Sequence, residues 1–163
     1  MKFGSLGKML PQKENLPMTR DLIETLRDYF QQEANRLKIK AVFLFGSQAG
    51  GLPRLDSDVD LAIAFVDEEM SNEETFDRMN VLAIGLTEIL GREVNLISID
   101  KDFSKPMLYY NAVVKGIPIF TADPHYYIWL LNEAIYQMED FEIFGRDWQI
   151  DLAKRNLREI QNG

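Results

Sequence analysis

Two acidic residues, Asp58 and Asp60, open an apolar run that continues to Val66. Alternate side chains of a β-strand lie on one face, so these carboxylates point the same way, about 6.5 Å apart along the backbone. Like charges at that distance repel each other unless a divalent cation lies between them. Proteins bind Mg²⁺ with one or two carboxylates together with phosphate oxygens and water. The spacing therefore predicts a magnesium site that also takes phosphate.

A Gly46-Ser47 pair ends the preceding apolar run, Ala41–Phe45. Glycine lets the backbone approach a phosphate, and the residues after it can present backbone amides to an anion. Two neighbouring strand ends thus predict a site for a metal-bound nucleoside triphosphate. Gly-Ser alone is usually a turn, and Asp-x-Asp alone is usually a solvated strand edge. Their joint occurrence between two apolar runs favours the site.

The pair Gly46-Ser47, ten further residues and Asp58-Val59-Asp60 resemble the G-S-x(10)-D-x-D signature of the DNA polymerase β-like nucleotidyltransferases. The small size and the segment Ser57–Leu61 are similar to the minimal nucleotidyltransferase (MNT) branch, and the resemblance extends from residue 18 to residue 121. It implies that Asp58 and Asp60 are catalytic and hold two magnesium ions, about 3.5–4 Å apart. It also implies that Gly46 and Ser47 bind ATP, whose AMP group is transferred to a hydroxyl.

The chain departs from the family pattern at three positions. Gln48 and Gly50 stand where the family commonly has arginine, and Asn95 stands where a third carboxylate is common. Asparagine cannot act as a general base and is a weaker magnesium ligand than aspartate. We therefore expect a slower enzyme, or one that uses substrate or solvent as base, with Asn95 at the margin of the site or simply a polar strand residue. Arg54 could replace the missing cations, but the favoured interpretation of Arg54 is a solvated loop cation.

The surrounding pattern predicts an α/β fold, because strand-like and helix-like segments alternate. From the resemblance we expect a small mixed sheet, with helices packed on one side of it and an α-helical C-terminal extension. The predicted strands are 41–45, 59–66, 92–99 and 117–120, and the last of them is an edge strand that contains Pro118. The predicted helices begin at Thr19, at Ser71 or Asn72, and near Ser104.

The last part of the chain, 123–163, is helical in pattern, with Asp123 as its cap and Pro124 at its first position. A break in the apolar spacing near Gly145 predicts two helices or one broken helix. Its aromatic residues either pack on the core or form a partner interface. We divide the chain into a leader (1–17), a nucleotidyltransferase domain (18–122) and a helical extension packed on that domain (123–163).

Composition limits the function classes. The chain has 163 residues, 46% of them hydrophobic, which indicates a globular domain. Its net charge of −8 opposes direct binding of nucleic acid and of anionic membranes, and suits a basic partner protein. The absence of cysteine excludes disulfides and thiolate zinc sites and fits a reducing cytoplasm. We see no signal peptide and no apolar run long enough to span a membrane.

Three functions fit these observations. The first is an antitoxin of HEPN–MNT type, for which the resemblance implies AMP transfer to a tyrosine of a partner HEPN ribonuclease toxin. The second is a small-molecule adenylyltransferase of the aminoglycoside type, although such enzymes usually carry a larger substrate-binding domain. The third is a catalytically weak or inactive binding module that retains the fold, which Gln48, Gly50 and Asn95 favour.

Overall fold

The computed structural model describes residues 16–50, 57–66 and 70–161. Arg54 and most of the predicted leader lie outside the described residues. The helices and strands follow in chain order as α1 (Leu16–Glu33), β1 (Ile39–Phe45), a 3-10 turn (Gly46–Gln48), β2 (Val59–Phe65), α2 (Asn72–Leu90), β3 (Val94–Ser98), α3 (Pro106–Val113), β4 (Ile117–Thr121) and α4 (Pro124–Gln161).

The four strands form one mixed sheet in the order β3-β2-β1-β4. Strand β1 pairs antiparallel with both β2 and β4, whereas β2 and β3 run parallel. The mixed sheet and the edge position of Pro118 are therefore confirmed. This topology places the end of β1 and the beginnings of β2 and β3 at the same edge of the sheet.

Helices cover both faces of the sheet, so the expected one-sided covering is wrong. On one face, Val42 and Leu44 of β1 pack with residues of α1 and α2, such as Phe30 and Leu86. On the other face, Phe43 packs with residues of α3 and α4. Because side chains alternate along a buried strand, both faces of β1 are apolar and both need a cover.

The ends of α2 follow the sequence signals closely. Ser71 accepts a hydrogen bond from the Glu74 amide while Glu74 binds the Ser71 amide, a capping box, and Gly91 ends the helix in a left-handed conformation. Two other predicted starts are wrong. Helix α1 begins at Leu16, before Thr19. Helix α3 has Lys105 as its cap, without a side-chain hydrogen bond, because the hydroxyl of Ser104 is bound to Asp100 instead.

Helix α4 is one continuous helix of 38 residues, so the predicted break near Gly145 is wrong. A single glycine weakens a helix by only about 1 kcal/mol, and a Cβ at Gly145 would meet nothing within 4 Å. The first part of α4 packs on the domain through Leu130 and Ala134. In the described part of the chain, no helix is sufficiently long and apolar to traverse a bilayer.

Candidate active site

The predicted site residues meet at one edge of the sheet. Phe45, the last residue of β1, pairs with Asp60 of β2, and Asp60 pairs in turn with Asn95 of β3. Because alternate residues share a face, Asp60 lies on the face of β2 that carries Ala62, toward α3 and α4. Asp58 precedes β2 and is exposed.

The side-chain amide of Asn95 joins the two carboxylates. Its Nδ2 donates to Oδ2 of Asp58 at 3.3 Å and to Oδ1 of Asp60 at 3.2 Å. The two carboxylates therefore point to a common position, as the strand spacing predicts. The amide hydrogen atoms offset part of the repulsion between the two negative charges.

Position 46 requires glycine because the backbone there lies very close to the Asp60 side chain. Its φ of +73° lies in the left-handed region, and a Cβ at this position would come within 2.3 Å of Asp60 Oδ2. Any larger residue would displace that carboxylate. The glycine thus connects the turn after β1 directly to the acidic pair.

The residues after Gly46 form a tight turn that is fixed at both ends. Ser47 is exposed on this turn, and the amide of Gly50 donates to the Ser47 carbonyl at 3.3 Å. Gln48 is only 3% exposed, and its Nε2 donates to the carbonyl of Ser57 at 3.2 Å. Gln48 therefore joins the turn after β1 to the residue that precedes Asp58, a structural role that its position in the sequence did not indicate.

The donor set offers two carboxylates and one amide. Among the described residues, no group of three or more His, Cys, Asp or Glu side chains is arranged to hold a metal. Two carboxylates nevertheless fit a magnesium ion that also takes phosphate oxygens and water. Two cavities of about 470 and 510 Å³ in the described part of the chain are lined by other residues than these.

Comparison with known proteins identifies the family. The family model described as polymerase beta, nucleotidyltransferase, matches residues 24–125, more than half of the chain. The chain belongs to this nucleotidyltransferase family. No curated protein shows significant similarity to it.

Several solved structures share the nucleotidyltransferase fold. A chain of a toxin–antitoxin structure with AMP-PNP is 20% identical with a TM-score of 0.58, covering 82% of this chain and 97% of that one. A chain of the tri-AMPylated Shewanella oneidensis HEPN toxin in complex with MNT antitoxin is 15% identical with a TM-score of 0.57, covering 80% and 98%. A chain of the MntA–HepT toxin–antitoxin is 18% identical with a TM-score of 0.54, covering 85% and 98%. At these identities the likeness concerns the fold.

A second polar cluster of this family member was not predicted from the sequence. Asp100, just after β3, accepts hydrogen bonds from the Ser104 amide at 3.0 Å, from the Ser104 hydroxyl, and from the Tyr109 hydroxyl at 2.6 Å. Burial raises the pKa of Asp100, but these hydrogen bonds outweigh burial and hold that pKa below its usual value. Burial and the hydrogen bond to Asp100 raise the pKa of Tyr109. The available signal was the presence of Asp and Ser just after a strand, since these residue types commonly form side-chain-to-backbone hydrogen bonds in turns.

Proposed function

We propose that this chain transfers AMP from ATP to a hydroxyl, namely a tyrosine of a partner HEPN ribonuclease toxin, and acts as the antitoxin. The observation that carries the proposal is the convergence of Asp58 and Asp60 on the Asn95 amide beside Gly46. We assign residues 18–122 to the nucleotidyltransferase domain and 123–163 to its helical extension. ATP is the proposed substrate, and Mg²⁺, as two ions, the proposed cofactor.

The acidic pair would hold magnesium, and the Asn95 amide would keep both carboxylates oriented between turnovers. The Gly46 amide and the Ser47 hydroxyl would contact the β- and γ-phosphates. Magnesium bound at the site would neutralise negative charge on the phosphate oxygens. Arg54 stays a secondary predicted contact, because it lies outside the described residues.

The transfer is a substitution at phosphorus. The oxygen of the acceptor hydroxyl forms a bond to the α-phosphorus, the bond between the α-phosphorus and the bridging oxygen breaks, and pyrophosphate leaves. Asn95 cannot accept the hydroxyl proton. That proton passes to solvent or to a substrate oxygen, which is a reason to expect slow turnover.

An exposed apolar surface on α4 supports the proposal that the chain binds a partner protein. Phe141, Phe144, Trp148 and Leu152, here called the aromatic stripe, follow one another at spacings of three and four residues and share one helix face. Leu130 and Ala134 lie on the same face and are buried in the domain, whereas Phe144 is 75% and Trp148 57% exposed. A contiguous exposed apolar surface of this kind marks an interaction site. The net charge of −8 suits a basic partner.

A second candidate function is a binding module without turnover. It is favoured by Asn95 in the third-carboxylate position and by the burial of Gln48, which keeps that side chain away from phosphates. This function would need the aromatic stripe but not the acidic pair.

Thermal unfolding with Mg²⁺ and each nucleoside triphosphate tests the site. At about 100 times Kd, binding adds roughly 2.7 kcal/mol, which raises Tm by about 5–10 °C for a domain of this size. We expect a metal-dependent shift that prefers ATP and is lost in Asp58→Asn/Asp60→Asn. Asp77→Asn, an exposed aspartate on α2, is the matched control and keeps the shift.

Mass spectrometry of a co-purified HEPN toxin tests the reaction. The expected result is an AMP increment on a toxin tyrosine that disappears with Asp58→Asn. Nucleotide binding without any increment favours the binding module. A double variant that retains full transfer would show that the site assignment is wrong.

A further inference from the structure

The second half of α4 extends away from the domain. Every residue from Glu139 to Ile160 whose exposure is described is exposed, apart from Gly145. At 1.5 Å per residue this segment is about 33 Å long. Such a helix has little reason to be stable alone in water, because most helical stability in proteins comes from packing of an apolar face.

This segment carries a second apolar face besides the aromatic stripe. Ile143, Ile150, Leu157 and Ile160, here called the aliphatic stripe, are 62%, 45%, 57% and 77% exposed. They are seven, seven and three residues apart, which is the a/d spacing of a two-helix coiled coil, and the other two d positions of that stretch are Arg146 and Ala153. Trp148 and Ile150 lie about 200° apart around the helix, so the two stripes face opposite directions.

The charge of the segment reverses along its length. Between Glu139 and Asp151 the charged residues are five acids and Arg146, whereas between Leu152 and Ile160 they are three cations, Lys154, Arg155 and Arg158, and one acid, Glu159. The ion pairs in the described part of the chain join other residues, Arg20 with Glu24 and Arg36 with Glu33. An antiparallel copy of the same helix would bring an acidic stretch against a basic one at both ends, whereas a parallel copy would bring like charges together.

We propose that the aliphatic stripe pairs two copies of this chain in an antiparallel, two-fold symmetric helix pair. With Ile150 facing Ala153 of the second copy, Ile143 faces Ile160 and Asp147 lies beside Lys154. Each of these contacts occurs twice, as a two-fold interface requires. Arg146 lies against Leu157 with its aliphatic stem, leaving the guanidinium at the solvent edge. The proposal does not depend on nucleotide transfer.

Sedimentation of the full chain at low salt, from 1 to about 200 µM, tests the pairing. We expect a concentration-dependent rise from 18.9 kDa to twice that mass, weakened by added salt. Asp147→Lys and Lys154→Asp should each raise the dimer Kd about tenfold, because each replaces two opposite-charge pairs with like-charge pairs. The two changes together should restore Kd to within about threefold of the natural chain.

Two controls separate this pairing from other causes. Asp151→Lys makes the same charge change on the same helix but away from the aliphatic stripe, and should change Kd by less than about threefold. Phe144→Ser lies in the aromatic stripe and should leave the dimer intact. Three results would each overturn the proposal: a chain that is monomeric at every concentration, a dimer that Phe144→Ser abolishes, and a double charge swap whose dimer Kd is no lower than that of the single variants. This holds even if a toxin binds the aliphatic stripe.

Discussion

At the scale of single residues, Asn95 has two opposing effects on the acidic pair. As a donor to both Asp58 and Asp60, at 3.3 and 3.2 Å, it stabilises two like charges that form no ion pair among the described residues. As a neutral ligand it would contribute less to the proposed magnesium site than a carboxylate would. The proposed site would therefore be organised before metal binds, at the expense of a weaker donor set.

This balance predicts the effect of Asn95→Asp. Without metal, the third carboxylate removes two hydrogen bonds and adds repulsion, which lowers stability by about 1 kcal/mol at this exposed position and Tm by about 2–4 °C. Millimolar Mg²⁺ should raise Tm of the variant more than that of the natural chain, and the rate of AMP transfer should rise. Thermal unfolding in EDTA and in Mg²⁺ measures the first effect, and single-turnover transfer the second.

Asn80→Asp provides the control for this experiment. It makes the same chemical change at an exposed position of α2, away from the sheet edge, and should show no added response to Mg²⁺. If Asn95→Asp behaves like Asn80→Asp, the amide has no part in a metal site.

At the scale of secondary structure, the connection from β3 to α3 depends on Asp100. Its carboxylate accepts hydrogen bonds from Ser104 in the connection and from Tyr109 in the helix, and the Tyr109 hydroxyl oxygen also lies 3.1 Å from the carbonyl oxygen of Ser98. Tyr109 is 1% exposed, so its hydroxyl has few alternatives to these partners. The cluster fixes α3 against the end of β3.

Asp100→Asn should lower stability by about 1–2 kcal/mol at pH 7, because a charge-assisted acceptor is lost next to a buried hydroxyl. The pKa of Asp100 is lowered in the folded state, so its contribution is complete above the unfolded value near 3.9 and disappears as pH falls through the folded value. The difference in the free energy of unfolding between the natural chain and the variant, measured with urea, should therefore become smaller below about pH 4. Asp102→Asn, exposed in the same loop, should show neither effect.

Local signals predicted the secondary structure well where a few neighbouring residues decide it. The capping box at Ser71, the left-handed Gly91 and the edge position of Pro118 are of this kind. The common direction of Asp58 and Asp60 followed from strand periodicity, whereas the sequence left open whether Asn95 joins them or is an ordinary polar strand residue. Features that depend on distant contacts were missed: the burial of Gln48, the Asp100 cluster and the helices on both sheet faces. The continuity of α4 was missed because a glycine weakens a helix without ending it.

At the scale of the whole molecule, the proposed active site and the proposed binding surfaces are separate. The acidic pair lies at the edge of the four-stranded sheet, whereas both exposed apolar stripes lie on the second half of α4, which contributes no buried residue among those described. Because the two stripes face opposite directions, one helix could contact the proposed second copy and the proposed toxin at the same time. Removing this half should therefore abolish association without damage to the fold or to the nucleotide site.

A chain ending at Asp140 tests this separation. Because the removed residues whose exposure is described are exposed, apart from Gly145, Tm should change by less than about 2 °C, and the Mg²⁺-dependent shift with ATP should remain. The dimer and the co-purified toxin should both be lost in sedimentation and pull-down. A chain ending at Ile128 also removes the buried Leu130 and Ala134, and should lose at least about 3 kcal/mol of stability. If the chain ending at Asp140 unfolds as easily as the chain ending at Ile128, the distal half of α4 packs on its own domain, and neither stripe is a free surface.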